Sequence, residues 1–188
     1  SERLSSEQHV WVQYLSAARP TPHHQKRDNF TANHMSLTTM NLPDNFVEFL
    51  VRAKKSTWAS NEAKKTIMPD GGEELSFSEA NFVYRDRYYG GDLFLGQEVV
   101  MAEKRVVWTM VYYGYCLGSE SEIINTLKMA LRSVTLAAPF RGPARIENGR
   151  FIYRCTWEGT VDRFDGTEII EREGELRYRL VFAGGLIR

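Results

Sequence analysis

Two segments of the sequence, 70 positions apart, repeat one pattern of Phe, Gly and Glu at alternate positions followed by two aliphatic residues. The first copy, 94–100, reads Phe-Leu-Gly-Gln-Glu-Val-Val, and the second, 164–170, reads Phe-Asp-Gly-Thr-Glu-Ile-Ile. The same shift continues without a gap and maps Trp108 onto Tyr178. Aromatic and β-branched residues recur in any sheet. Matched Gly and Glu at fixed spacing nevertheless favour a duplication over chance.

An amphipathic helix is expected before each copy. The first helix should begin at Pro43, a residue type favoured at the first helical position, and present an apolar stripe through Phe46 and Phe49. The second should begin at a capping box in 119–122, Ser-Glu-Ser-Glu, and extend to about Val134.

Runs of β-branched and aromatic residues between turn signals predict antiparallel strands after each helix. The expected strands are 75–77, 82–89, 93–101, 105–113, 144–147, 150–157, 161–171 and 175–182. The predicted fold class is therefore α+β: a duplicated helix-plus-antiparallel-strands unit that forms one antiparallel sheet, with both helices packed on a face and a pseudo-twofold axis.

The first 40 residues differ from the rest of the chain. They contain all four histidines, and Pro20 and Pro22 interrupt a polar stretch. Residues 5–18 are predicted to form a short helix, followed by a linker. We therefore divide the chain into an N-terminal extension, 1–40, that adds little to core stability, and an α+β domain, 41–188.

Composition limits the classes of partner. Lys plus Arg and Asp plus Glu both number 24, so nucleic acid, which usually selects a basic excess, is an unlikely partner. No apolar run approaches the roughly 18 residues of a membrane span, so no membrane partner is expected. Cys116 and Cys155 do not make a disulfide framework, and a reducing, cytoplasmic location is the simpler interpretation.

No histidine follows His34. Ser–His and Cys–His nucleophilic pairs are therefore excluded within the domain. Two unclustered cysteines cannot supply the ligands of an ordinary zinc site, so we expect neither a metal nor a cofactor.

Glu98 and Glu168 occupy equivalent positions in the two repeats. Such positions can converge near a twofold axis, where two carboxylates can bind a cation or an amine, or act as acid and base. Strand alternation puts Glu98 on one face with Gly96 and Val100. The alternative is that both glutamates face solvent, or that Glu98 pairs with Arg105.

Aromatic residues accompany the two carboxylates. Tyr84, Trp108, Tyr112 and Tyr178 complete the candidate ligand-binding set, because aromatic rings beside carboxylates suit a flat or cationic ligand. The alternative is that each ring belongs to the core of the sheet.

Several motifs together resemble the DUF5680 domain family over about residues 41–188. They are 49–58 (Phe-Leu-Val-Arg-Ala-Lys-Lys-Ser-Thr-Trp), 84–91 (Tyr-Arg-Asp-Arg-Tyr-Tyr-Gly-Gly), 94–100, 108–114 (Trp-Thr-Met-Val-Tyr-Tyr-Gly), 164–170 and 184–187 (Gly-Gly-Leu-Ile). The resemblance implies no assigned activity. Some similar bacterial chains join this domain to a helix-turn-helix DNA-binding segment, which implies effector sensing, but residues 1–40 do not resemble such a module.

Three functions stay open at this point. The first is a sensory or effector-binding domain for a small molecule. The second is an enzyme, such as a hydrolase, that uses Glu98 and Glu168. The third is a protein-interaction module that pairs through its sheet, for example as a homodimer.

Overall fold

The structure, a computed structural model, describes residues 42–43, 45–118 and 121–187, all of which belong to the unit Met40–Arg188. The helix and linker predicted within 1–40 lie outside the described residues and stay predictions. So do Ser119 and Glu120 of the predicted capping box.

The described residues form two helices and nine strands. In chain order these are α1 (Phe46–Ser56), β1 (Thr66–Ile67), β2 (Glu73–Glu79), β3 (Phe82–Gly90), β4 (Leu93–Ala102), β5 (Arg105–Cys116), α2 (Ser121–Arg132), β6 (Arg145–Asn148), β7 (Phe151–Thr160), β8 (Arg163–Arg172) and β9 (Glu175–Leu186).

All nine strands join one antiparallel sheet in the order β1-β2-β3-β4-β5-β9-β8-β7-β6. Each half is a meander, and the two meanders meet where β5 pairs with β9, from Trp108 opposite Leu186 to Cys116 opposite Tyr178. The predicted α+β class with one antiparallel sheet is confirmed.

The helix start predicted at Pro43 is wrong. The Phe46 amide donates to the Pro43 carbonyl at 2.9 Å in a preceding turn, and the first helical bond runs from the Phe49 amide to the Asn45 carbonyl. Pro43 therefore lies before the helix. No described helix is long and apolar enough to cross a membrane.

The central strands are longer than predicted. The sequence indicated ends at Tyr113 and Phe182, but β5 continues to Cys116 and β9 to Leu186. Residues 114–116 pair with 178–180 of β9, and residues 183–186 pair with 108–111 of β5. Non-local hydrogen bonds between the two central strands therefore extend both strands beyond what local patterns indicated.

Both helices pack on one face of the sheet, α1 against β2 and β3 and α2 against β6, β7 and β8, and they contact each other. Aromatic rings connect the two halves of this core. The Trp108 ring lies 6.3 Å from Phe46 and 5.7 Å from Phe164, and Phe164 lies 4.2 Å from Phe140, measured between centroids. Trp108 is fully buried and lies opposite Val100 in the β4–β5 register, on the same face as Glu98.

The opposite face carries exposed apolar side chains on the central strands. Leu95, Tyr113 and Val181 lie side by side across β4, β5 and β9, and each is at least 42% exposed. Val111 extends this patch.

Two glycines of the repeat lie where side chains and backbone leave no room. A Cβ at Gly96 would lie 2.8 Å from the Arg87 carbonyl oxygen and against the Tyr112 ring. A Cβ at Gly166 would overlap both the Phe182 ring and the Thr156 carbonyl oxygen. Neither position can hold a residue larger than glycine unless the surrounding atoms shift.

We predict that Gly96→Ala and Gly166→Ala each lower the free energy of unfolding by about 1–3 kcal/mol through overpacking. Urea denaturation measures this. Gly91→Ala is the matched control, because a Cβ there would meet nothing within 4 Å, and it should change stability by less than about 0.5 kcal/mol. Equal stability of the three variants would contradict the packing argument.

Candidate functional site

Two carboxylates face each other within the sheet. Asp86 on β3 is the register partner of Glu98 on β4, and alternation turns both toward the helices, so that they are 4% and 2% exposed. Like charges directly opposite on neighbouring strands are destabilising. The pair therefore requires cations nearby.

Lys54 supplies the first cation. It lies in the last turn of α1, four residues after Leu50 on the buried stripe, and its ammonium pairs with Glu98 Oε2. The same ammonium donates to the Phe140 carbonyl at 2.7 Å and lies 5.6 Å from the centre of the Trp108 ring. Burial lowers the pKa of Lys54 below its ordinary value, while the charge of Glu98 opposes that shift.

Arg141 supplies the second cation from the loop after α2. Its Nε and Nη2 donate to Glu168 Oε2 and Oε1 at 3.1 and 3.0 Å, a bidentate pair, and its Nη1 lies 3.8 Å from Glu98 Oε1. Burial is the largest single influence and opposes the charge on Arg141, but Glu168, Tyr178 and Glu98 together outweigh it, so the pKa of the guanidinium is raised well above its ordinary value. Arg141 therefore connects the two repeat glutamates.

Glu168 is completely enclosed. Tyr153 and Tyr178 donate their hydroxyls to Glu168 Oε2 and Oε1 at 2.6 and 2.7 Å. Burial, and then the charge of Glu168, raise the pKa of both phenols well above the ordinary value, so both stay neutral donors. With Arg141, they give this carboxylate four hydrogen bonds and no exposure to solvent.

Asp86 has a different environment. Tyr112 donates to Asp86 Oδ1 at 2.7 Å. Burial, and then the charge of Glu98, raise the pKa of Asp86 to about 7, although Tyr112, Arg141 and Lys54 each act in the opposite direction. Asp86 is thus a carboxyl group that titrates near neutrality.

A cavity of about 230 Å³ opens beside Asp86, between α2 and the inner face of the sheet. Asp86 and Arg141 are its buried charged residues, and Lys65 and Glu73 are more exposed and pair with each other at 2.6 Å. Its aromatic lining consists of Trp58, Tyr88, Phe94, Tyr112 and Tyr178.

A second, inner cavity of about 20 Å³ shares Trp58, Asp86 and Arg141 with the first. Tyr84 and Glu98 also line it. This volume is about that of one buried water, and the polar lining can bind one.

The structure brings most of the predicted site residues into one network. Tyr112 and Tyr178 line the outer cavity, Tyr84 and Glu98 line the inner one, and Glu168 lies behind Tyr178. The sixth, Trp108, is buried in the hydrophobic core, where its Nε1 donates to the Val161 carbonyl at 3.0 Å.

Two alternatives weighed from the sequence are wrong. Glu98 and Glu168 do not face solvent, because both point to the covered face of the sheet. Arg105 is not the partner of Glu98: it is exposed and pairs in register with Ala102 at the hairpin turn, whereas Lys54 and Arg141 contact the carboxylate.

Sequence reasoning missed Asp86, Lys54 and Arg141. Two signals were available, since Asp86 alternates with Tyr84 on a predicted strand and Lys54 lies on the apolar stripe of a predicted helix. Arg141 offered no periodic signal because it lies in a loop. Among residues 42–43, 45–118 and 121–187, no group of three or more His, Cys, Asp or Glu could hold a metal ion.

A family model described as a domain of unknown function (DUF5680) matches residues 86–187. The chain belongs to the DUF5680 family. The match includes Asp86, Glu98, Arg141 and Glu168, whereas Lys54 lies outside it. Neither curated proteins nor solved structures gave a match to this DUF5680 chain.

We predict that Arg141→Met lowers the free energy of unfolding by about 3–5 kcal/mol, because it leaves two buried carboxylates without their shared cation. Denaturant titration at neutral pH measures this. The control is Arg145→Met, which removes a half-exposed arginine paired with Glu147 and should cost less than about 1 kcal/mol. A similar loss in both variants would show that the buried network contributes little.

The raised pKa of Asp86 predicts a pH dependence of stability. Because the folded state holds a proton that the unfolded state has released, Asp86 lowers stability as the pH rises from the unfolded pKa toward about 7. Asp86→Asn should therefore gain stability relative to the parent by up to about 1.4 kcal/mol per pH unit across that window.

Urea denaturation of both proteins between about pH 5 and pH 8 checks this window. Asp165→Asn, on the exposed side of β8, is the control and should follow the parent at every pH. If the free energy of unfolding depends on pH in the same way for the parent and for Asp86→Asn, the raised pKa of Asp86 is contradicted.

Proposed function

We propose that this DUF5680 domain binds a small organic molecule, as a sensory or effector-binding domain, in the cavity of about 230 Å³ between α2 and the sheet. The observation that carries the proposal is the composition of the wall, in which five aromatic rings surround two buried, oppositely charged side chains, Asp86 and Arg141. Ligand sites are typically apolar clefts with a few fixed polar groups.

Both charged groups are held in place before any ligand arrives. Tyr112 fixes one oxygen of Asp86, and Glu168 fixes the Arg141 guanidinium at two points. A polar group that is already ordered loses little conformational entropy on binding, which favours affinity and specificity. This preorganisation supports recognition of a defined ligand.

Support for a hydrolase that uses Glu98 and Glu168 is weaker. A general acid or base must lie within hydrogen-bonding distance of the substrate atom it serves. Glu168 makes four internal hydrogen bonds, and Glu98 is engaged by Lys54 and Arg141. These contacts favour a structural role for both carboxylates.

The outer face of the sheet favours a second candidate, pairing of two copies through their central strands. Leu95, Val111, Tyr113 and Val181 form an exposed apolar patch there. A homodimer joined at this face leaves the cavity on the opposite face accessible, so pairing and ligand binding are compatible.

We also infer that the domain arose by duplication of one helix-plus-antiparallel-strands unit, with a pseudo-twofold axis between β5 and β9. The strand register supports this inference. Phe94 lies opposite Gly114 in the first hairpin, and 70 positions later Phe164 lies opposite Gly184 in the second. A β-bulge follows Val100 in one hairpin and Ile170 in the other, again at the 70-residue shift.

A reducing, cytoplasmic location is part of the proposal. Its support is that Cys116 and Cys155 are both free thiols. Burial raises the pKa of Cys155 to about 12, which keeps this buried thiol protonated and unreactive.

A substitution that fills the cavity tests whether it is the binding site. Ile124 on α2 is part of its lining, and Ile124→Trp should fill the space. We predict that aromatic fragments found by ligand-observed NMR with the parent protein bind this variant at least about tenfold more weakly, because the bulky ring occupies their site.

The matched control is Leu136→Trp, which adds the same ring at an exposed position outside the cavity lining and should leave fragment binding unchanged. Fragments that bind both variants equally, or a screen without hits, would contradict the proposed function.

A further inference from the structure

The buried charges around the cavity do not balance. Within residues 42–43, 45–118 and 121–187, the buried ionisable cluster holds two cations, Lys54 and Arg141, and three carboxylates, Asp86, Glu98 and Glu168. Lys54 pairs with Glu98 and Arg141 with Glu168. Asp86 is the third carboxylate, and it has no cation partner in these two pairs.

The contacts of Asp86 compensate its charge only in part. Its hydrogen-bond donor is the Tyr112 phenol, a neutral group, and no cation of the described part of the chain approaches it to ion-pair distance. A buried charge without a counter-ion is costly. A cation that entered the cavity would supply the missing charge.

We infer that the ligand of this cavity is a small organic cation, such as an ammonium attached to an aromatic or apolar body, with Asp86 as its counter-ion. This inference rests on the proposed function and specifies its ligand class. The lining suits both parts of such a molecule, because aromatic faces attract cations and also cover an apolar body. Phe94 and Tyr178 supply such rings in the lining. Trp58 and Tyr88 already lie within cation–π distance of Lys128 and Lys65, respectively, and chiefly cover the apolar body.

An anionic ligand fits the same cavity less well. Arg141 is the buried cation of the lining, but Glu168 engages its Nε and Nη2, and Glu98 lies 3.8 Å from its Nη1. Lys65 is paired with Glu73. An anion would therefore compete with carboxylates already in place and meet the charge of Asp86.

Cation binding must also involve the proton on Asp86. The titratable groups around Asp86 are Lys54 from α1, Tyr84 from β3, Glu98 from β4, Tyr112 from β5 and Arg141 from the loop after α2. Two of these are cations already paired with glutamates, and Tyr112 stays neutral. A bound ammonium favours the ionised carboxylate, so binding below the pKa of Asp86 releases a proton.

Three probes of matched shape test the inference: phenethylammonium, the neutral 2-phenylethanol and the anionic 3-phenylpropanoate. Isothermal titration calorimetry should show the cation binding at least about tenfold more tightly than either analogue, the size expected of one charge-assisted contact. Asp86→Asn should remove that preference and leave the affinity for 2-phenylethanol unchanged. Asp165→Asn on the exposed face should retain the preference.

Proton release gives a second measurement on the unmodified protein, in case Asp86→Asn does not fold. At a pH of about 6.5, the binding enthalpy of phenethylammonium should vary with the ionisation enthalpy of the buffer, whereas that of 2-phenylethanol should not. A binding enthalpy that is independent of the buffer would overturn the role of Asp86.

The outcomes separate the two proposals. If 2-phenylethanol binds as tightly as the cation and Ile124→Trp blocks both, the cavity is a binding site and the cation inference is overturned. If 3-phenylpropanoate binds best, the inference is overturned in favour of Arg141 recognising an anion. If none of the three binds, the cation inference is overturned, and the fragment screen decides the proposed function separately.

Discussion

The register between β3 and β4 sets the main constraint on this domain, because it places Asp86 directly opposite Glu98 on the covered face of the sheet. Two carboxylates at neighbouring positions in a core are tolerated only when cations and hydrogen-bond donors surround them. Lys54 from α1 and Arg141 from the loop after α2 meet this need. The positions of the first helix and of that loop are therefore tied to the charges of the sheet.

A buried ion network of this kind contributes less to stability than its number of contacts suggests, because desolvation offsets much of the attraction. The main effect of the network is to fix the positions of its side chains. The bidentate Arg141–Glu168 pair is directional, and the phenols of Tyr153 and Tyr178 add short bonds to the same carboxylate, so each group is fixed in one position. The fixed groups then form the polar part of the cavity, so the network that completes the core also prepares the proposed binding site.

Glu168 and Asp86 show how the surroundings give two carboxylates different roles. Glu168 is saturated by an arginine and two tyrosines and has no exposure to solvent. Asp86 receives one neutral donor, borders both cavities, and has a pKa raised to about 7 by burial and by Glu98. The first is suited to holding the fold together, and the second is suited to meeting a ligand.

Local sequence patterns determined most of the secondary structure and the fold class of this protein. The matched hairpins predicted one antiparallel sheet with both helices on a face, and strand alternation placed Glu98 on the same face as Gly96 and Val100. The folded structure decided that this face is the covered one and that it also holds Trp108. Tertiary structure decided which distant side chains meet there. Lys54 contacts Glu98 across 44 positions, and Arg141 reaches Glu168 from a loop without periodicity. Periodicity encodes the face on which a residue lies, whereas the partner of a buried charge depends on how separate segments pack, so the network and its cavity emerge only in the folded chain.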